Sequence, residues 1–158
     1  KQLPIRFNLG VLFWTPVIFI LMGLTADAVT SLSGGYNYFT TEIFQYIKPL
    51  SIFDKFAALA PMAILYGLLN GFYEEFCFLG LLTCVEDKYK WQALAYSTLV
   101  RISFHTYQGM LWATVIGVVF GLMYYFFYKY KVKNLLPFFL IHALADIFGS
   151  GFIYLICA

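Results

Sequence analysis

The chain has 158 residues and a formal net charge of +2, and 62% of its residues are hydrophobic but only 11% charged. Soluble domains are roughly half apolar, so this composition and the mean hydropathy of +0.79 exclude an ordinary soluble protein. No basic block is present, which argues against nucleic-acid binding. A membrane span needs about 20 apolar residues, so we predict one all-α domain over residues 1–158, a polytopic bundle of about five transmembrane helices.

The first predicted helix covers residues 7–26, which carry no charge and include Pro16. A loop is predicted over residues 25–51, because this stretch holds a Gly-Gly pair and many hydroxyl and amide side chains. The first residue is Lys1 rather than methionine, which leaves room for further helices upstream.

The other predicted helices cover residues 55–86, 91–107, 110–128 and 135–157. The first of these is longer than a bilayer at about 1.5 Å per residue, so we expect it to be tilted, protruding or broken near Pro61. In the third, Gly117 and Gly121 form a small-residue face suited to close helix packing. The lysines and arginines cluster at three places that a five-helix topology puts on one side, which predicts a cytoplasmic face there.

Polar residues inside these apolar helices are the candidate functional residues. An ionised carboxylate at membrane depth is costly and usually marks function, and Glu74 and Glu75 stand side by side in an apolar run. Two further pairs are spaced four apart, which puts each pair on one helix face. They are Arg101 with His105 and His142 with Asp146. Their similar depths predict one shared, buried polar active-site cavity.

Three motifs resemble those of the CPBP family, the CAAX protease and bacteriocin-processing (Abi-type) membrane proteins. They are EEFCFLG at residues 74–80, a segment ending in His105, and HALAD at residues 142–146. The resemblance covers residues 56–148 and matches the family pattern EExxxR, FxxxH and HxxxN or HxxxD. Two positions depart from this pattern. Leu79 occupies the position of the Arg in the first motif, and Arg101 occupies the position of the Phe in the second. We hypothesise that Arg101 supplies the missing guanidinium from the neighbouring helix.

The resemblance implies an intramembrane endopeptidase of glutamic type, and we expect this site to need no cofactor. Glu74 would be the general base, with Glu75 beside it and oriented by Arg101. His105 would bind and orient the attacking water.

In the third motif, the resemblance implies that His142 polarises the scissile carbonyl as part of an oxyanion site. Asp146 only accepts hydrogen bonds when ionised, so we expect it to fix the tautomer of His142 or to donate while protonated.

A zinc enzyme is the alternative, with Glu74, His105 and His142 as ligands and an open position for water. Against it, the HExxH pattern is absent, and Arg101 would add a positive charge beside the ion.

Plainer readings remain for several residues. Glu74 and Glu75 could form a structural ion pair with Arg101, and each histidine taken alone could be a hydrogen-bonded core residue. Cys77 is more often a small hydrophobe than a nucleophile. Tyr107 and Gln108 either line the substrate path or form a polar helix end.

We therefore predict an enzyme that acts on a membrane-bound protein or a peptide. We expect it to be a multi-pass protein of a bacterial plasma membrane. The alternatives are a non-proteolytic scaffold that binds a membrane partner such as a sensor kinase or exporter, and a transporter or proton-relay protein. Prenylated CAAX proteins, leader peptides, quorum-sensing precursors and bacteriocins are all compatible substrates.

Overall fold

The computed structural model describes residues 3–34, 59–149 and 151, and all regular structure within these ranges is helical. Five helices follow one another along the described chain. α1 covers Leu9–Leu32, and α2 covers Pro61–Glu75 and continues as a π-helical stretch over Phe76–Leu81. α3 covers Lys90–Phe104, α4 covers Met110–Val132 and α5 covers Leu136–Phe148. The predicted helical class therefore holds for the described residues.

Local chemistry explains where α1 and α2 begin and end. The Asn8 side chain caps α1 by accepting a hydrogen bond from the backbone N–H of Val11 at 3.1 Å. α1 then continues to Leu32, beyond its predicted end, into residues predicted as loop. The rest of that predicted loop, residues 35–51, lies outside the described residues.

α2 starts at Pro61 in the described chain, with residues 55–58 outside it, and stops at Leu81 rather than at residue 86 as predicted. The early stop has a local cause. The Thr83 hydroxyl donates to the Leu79 carbonyl, and the Cys84 N–H turns back onto the Leu81 carbonyl at 3.0 Å.

The ends of α3, α4 and α5 also differ from the prediction. α3 ends at Phe104, before the predicted residue 107, and a 3-10 turn follows over Thr106–Gln108. α4 extends beyond the predicted residue 128 and ends where Lys133 adopts φ +51°. α5 ends at Phe148 and not at 157, because Gly149 at φ +86° leaves the helical conformation. Residues 152–157 of that predicted helix lie outside the described chain.

Glycines set the two closest helix contacts around the functional residues. Gly67 and Gly71 of α2 face α5, where an added Cβ at Gly71 would lie 2.7 Å from the Phe139 carbonyl oxygen. An added Cβ at Gly117 of α4 would meet the Ile102 side chain of α3 and lie 3.1 Å from the Ile102 backbone nitrogen. Side chains larger than hydrogen would push these helices apart, so the glycines help to bring the polar residues of α2, α3 and α5 within reach of one another.

The basic segments meet at one end of the bundle. Asn134, between α4 and α5, accepts from the Arg6 N–H at 3.1 Å and donates to the Arg6 carbonyl at 2.6 Å. At the same end, Lys129 of α4 lies 3.6 Å from Asp87. The clustering of positive charge that the sequence predicts at one face is consistent with these contacts.

Two described helices, Leu9–Leu32 and Met110–Val132, are long and apolar enough to cross a membrane. Leu136–Phe148 is apolar but shorter. α2 also presents a row of exposed large apolar side chains, namely Met62, Leu65, Tyr66, Leu69, Phe72 and Tyr73.

Candidate active site

Glu74 and Glu75 are buried where α2 changes from α-helical to π-helical geometry, with exposed fractions of 8% and 0%. Such π-helical insertions often occur at functional sites, because they reorient the side chains around them. Successive helical residues point in different directions, so the two carboxylates have different neighbours.

Glu75 is held on both of its oxygens. Arg101 donates from Nη1 to Oε1 at 2.7 Å and from Nη2 to Oε2 at 2.8 Å, in the two-pronged geometry that suits a guanidinium. The Nδ1 atom of His142 lies 2.8 Å from the same Oε1. Glu75 therefore joins α2 to α3 and α5 at one point.

Arg101 is itself buried, with 3% exposure, and stacks over the ring of Phe78 at 4.8 Å. Leu79, at the position of the family Arg, is a 2%-exposed core residue and cannot play its role. The predicted contact between Arg101 and an α2 carboxylate is present, and Glu75 is the carboxylate that receives it.

His105 follows α3 directly and is oriented by that helix. Its Nδ1 lies 2.8 Å from the Arg101 carbonyl, which can only accept, so we assign the proton to Nδ1. The Nε2 atom then faces Glu74, 3.7 Å from Oε2.

Glu74 has an oxygen that is left open. Its Oε2 is buried and makes no hydrogen bond to any part of the described chain, although it lies 3.7 Å from His105 Nε2 and 3.8 Å from His142 Nε2. Both distances exceed a direct hydrogen bond, and gaps of this size suit a bridging water.

The expectation that Asp146 fixes the tautomer of His142 is wrong. Nδ1 of His142 lies 2.8 Å from Glu75 Oε1. Asp146 Oδ1 lies 3.7 Å from the other ring nitrogen of His142, Nε2, which is beyond hydrogen-bond distance. Asp146 Oδ2 instead accepts a 2.8 Å hydrogen bond from Asn70 Nδ2 of α2.

Asn70 is the residue that sequence reasoning missed. It lies one helical turn before Glu74, so both side chains lie on one face of α2. An amide in an otherwise apolar helix is the signal that could have identified it.

A cavity of about 60 Å³ lies beside these groups, more than the roughly 10–15 Å³ that one water needs. Its lining comes from α1, α3, α4, α5 and the turn after α3. The lining residues are Met22, Arg101, His105, Gln108, Ile116, Phe120, Tyr124, His142, Ala145 and Asp146.

Glu74, His105 and His142 are the three side chains that a zinc site would use as ligands. No group of three His, Cys, Asp or Glu side chains among residues 3–34, 59–149 and 151 is arranged to hold a metal ion. The separations of 3.7 and 3.8 Å between Glu74 and the two imidazoles exceed the roughly 3.3–3.5 Å between ligands of a tetrahedral zinc.

The sequence over residues 56–148, more than half of the chain, matches the family model of the Rce1-like type II CAAX prenyl endopeptidases. All six predicted site residues lie inside this span. No curated protein and no solved structure has a detectable match to the chain.

Proposed function

Because this chain belongs to the Rce1-like family of type II CAAX prenyl endopeptidases, which are membrane-embedded proteases, we propose that it hydrolyses a peptide bond of a prenylated CAAX substrate with Glu74 as general base.

The proposal rests on the different surroundings of the two adjacent carboxylates, Glu74 and Glu75. Both oxygens of Glu75 are bound by Arg101 and one of them also by His142, so Glu75 has no oxygen free for chemistry. Glu74 Oε2 has no such partner among the described residues and faces two imidazole nitrogens. A buried carboxylate without a partner is costly as a structural element, which favours a chemical role.

The reaction starts from a water held between Glu74 Oε2 and His105 Nε2. Since Nδ1 of His105 donates to the Arg101 carbonyl, Nε2 is the atom that accepts from this water. Glu74 removes a proton, and the hydroxide oxygen bonds to the scissile carbonyl carbon. The carbonyl π electrons move onto its oxygen. When the tetrahedral intermediate collapses, the C–N bond breaks and Glu74 returns the proton to the leaving nitrogen.

His142 stabilises the oxyanion through Nε2. Its Nδ1 proton is engaged by Glu75, so donation from Nε2 requires the doubly protonated imidazolium. The carboxylates of Glu74 and Asp146, at 3.8 and 3.7 Å from Nε2, favour that charged form. Asn70 holds Asp146 in place and thereby acts on His142 indirectly.

We also propose that the site works without a metal. The separations between Glu74 and the two histidines support this, together with the guanidinium of Arg101 on the neighbouring Glu75.

The protein is further proposed to cross the membrane several times, in a bacterial plasma membrane, with its basic end in the cytoplasm. The two long apolar helices, the exposed apolar row on α2 and the basic segments at one end support this placement.

The test uses detergent-purified protein and a quenched-fluorescent, farnesylated peptide with a C-terminal CAAX sequence. Wild type and Glu74→Gln are assayed with and without a zinc chelator, and Glu86→Gln serves as a matched control on an exposed glutamate. We expect cleavage by wild type and control in both conditions, and none by Glu74→Gln.

Loss of wild-type cleavage with chelator, restored by added zinc, would establish a zinc enzyme instead. Cleavage of an unprenylated leader peptide but not of the farnesylated one would replace the substrate class. If folded wild type cleaves neither peptide, the protein is a non-proteolytic membrane scaffold.

A further inference from the structure

Gln108 is a buried polar residue in the cavity wall to which the proposed mechanism gives no role. It closes the 3-10 turn after His105, and its backbone N–H donates to the His105 carbonyl at 2.9 Å. Gly109 follows at φ +85°, a conformation that favours glycine and turns the chain into α4. This bond and this turn hold the Gln108 backbone in a fixed position relative to His105.

The side-chain amide of Gln108 is only half satisfied. Nε2 donates to the Tyr107 hydroxyl at 2.9 Å, but Oε1 is buried and has no partner in the part of the chain that the structure describes. The residue is 6% exposed and lines the same cavity as His105, His142 and Asp146. Exchanging the amide oxygen and nitrogen would only move the open position to the nitrogen. In either orientation one buried polar atom of this cavity-lining residue has no hydrogen-bond partner among the described residues.

Leaving a buried amide atom unpaired costs free energy, so this atom is suited to a ligand that brings the missing partner. A peptide main chain brings one N–H donor and one carbonyl acceptor per residue. Two other acceptors nearby have roles already, since His105 Nε2 faces Glu74 and Asp146 Oδ2 accepts from Asn70. With its amide oxygen as the structure places it, Gln108 offers Oε1 as a buried, open acceptor for a substrate N–H.

We propose that the Gln108 amide binds the substrate main chain, accepting a hydrogen bond from a backbone N–H beside the scissile bond. This inference rests on the proposed peptidase function and adds a substrate-binding residue to it. The bond aligns the neighbouring carbonyl with His142 whatever side chains the substrate carries, so Gln108 recognises an extended peptide rather than a particular residue.

The experiment replaces one N–H at a time in the farnesylated CAAX peptide by an ester oxygen, leaving the scissile amide intact. We compare wild type with Gln108→Met, which keeps the side-chain length but removes the amide. At one position the ester should lower kcat/KM of wild type by about tenfold, as expected for a lost buried hydrogen bond. At that position Gln108→Met should show no ester effect, and its activity on the all-amide peptide should already be about tenfold lower.

Gln92→Met, the same change at an exposed residue of α3, should retain the full ester effect. If Gln108→Met does not fold, Gln108→Asn takes its place, because its amide is one methylene too short to reach the same N–H. Equal ester sensitivity in wild type and the Gln108 variant, or no ester effect at any position, would overturn the inference. These outcomes refute only the role of Gln108 if Glu74→Gln is inactive, whereas an active Glu74→Gln refutes the proposed function itself.

Discussion

Glu74 and Glu75 are neighbours in the sequence and both buried, yet their surroundings differ in almost every respect. Glu75 is bound by a guanidinium and an imidazole from two other helices, while Glu74 has an oxygen that no described group binds. Under the proposed function, one motif provides a structural joint at Glu75 and a reactive group at Glu74. Replacing each residue should accordingly affect different properties.

The largest expected effect is the loss of peptide cleavage rate in Glu74→Gln. Since an amide cannot take a proton from water, kcat should fall by about a thousandfold, within the range for loss of a general base. The Tm in detergent should change little, because Glu74 Oε2 makes no hydrogen bond to the described chain that the change would remove. A variant that keeps its activity would mean that Glu74 is not the base.

Arg101→Ala should affect both properties, because it leaves Glu75 charged and unpaired in the interior. We expect a loss of about 3–5 kcal/mol of stability together with abolished cleavage. Arg101→Lys should lose most of its activity, since an ammonium cannot bind both Glu75 oxygens in parallel. Thermal unfolding and peptide cleavage measure the two effects.

Arg6→Ala is the matched control for Arg101, because its side chain is exposed and only its backbone bonds Asn134. It should leave both Tm and cleavage unchanged. An active, stable Arg101→Ala would contradict the assignment of Glu75 as a joint between helices.

A smaller effect is expected from Gly71→Ala, which tests whether the spacing of α2 and α5 matters to this joint. The added methyl would contact the Phe139 and Ala143 backbones, and overpacking of this kind costs about 1–3 kcal/mol. Gly121→Ala is the comparison, since its Cβ would meet nothing closer than 3.6 Å. Equal Tm values for the two variants would show that α2 adjusts freely.

The smallest effect should come from Asn70→Leu, which removes the donor to Asp146. Asp146 then loses the hydrogen bond that positions its carboxylate beside His142 Nε2. We therefore expect about a tenfold lower kcat at unchanged KM. Steady-state kinetics on the farnesylated peptide separate the two constants. A rise in KM alone would instead place Asn70 in substrate binding.

Much of this arrangement follows from helical periodicity, and the rest depends on contacts between helices. The four-residue spacing of His142 and Asp146 correctly puts both on one face, and Arg101 does reach an α2 carboxylate. Spacing alone could not tell which glutamate it reaches, and only the family resemblance indicated Glu75, the carboxylate that Arg101 binds. Nor could spacing pair Asp146 with Asn70, since that contact requires the close approach of α2 to α5 at Gly67 and Gly71.

The early end of α2 at Leu81 was unpredictable for a related reason. Composition places the charged cluster after Val85, but the helix stops where Thr83 and Cys84 satisfy backbone carbonyls. Hydrophobicity shows where a helix can continue, whereas competing hydrogen bonds decide where it ends.

Met22 of α1 has a consequence for how much chain this chemistry requires. It lines the cavity and accepts a 3.3 Å hydrogen bond from the Tyr124 hydroxyl, yet it lies outside the family span of residues 56–148. A truncated chain restricted to that span would keep every motif residue and lose one wall of the reaction chamber. The space that Met22 fills would then be open on that side of the cavity. The stretch that identifies the family is therefore shorter than the stretch that builds the cavity.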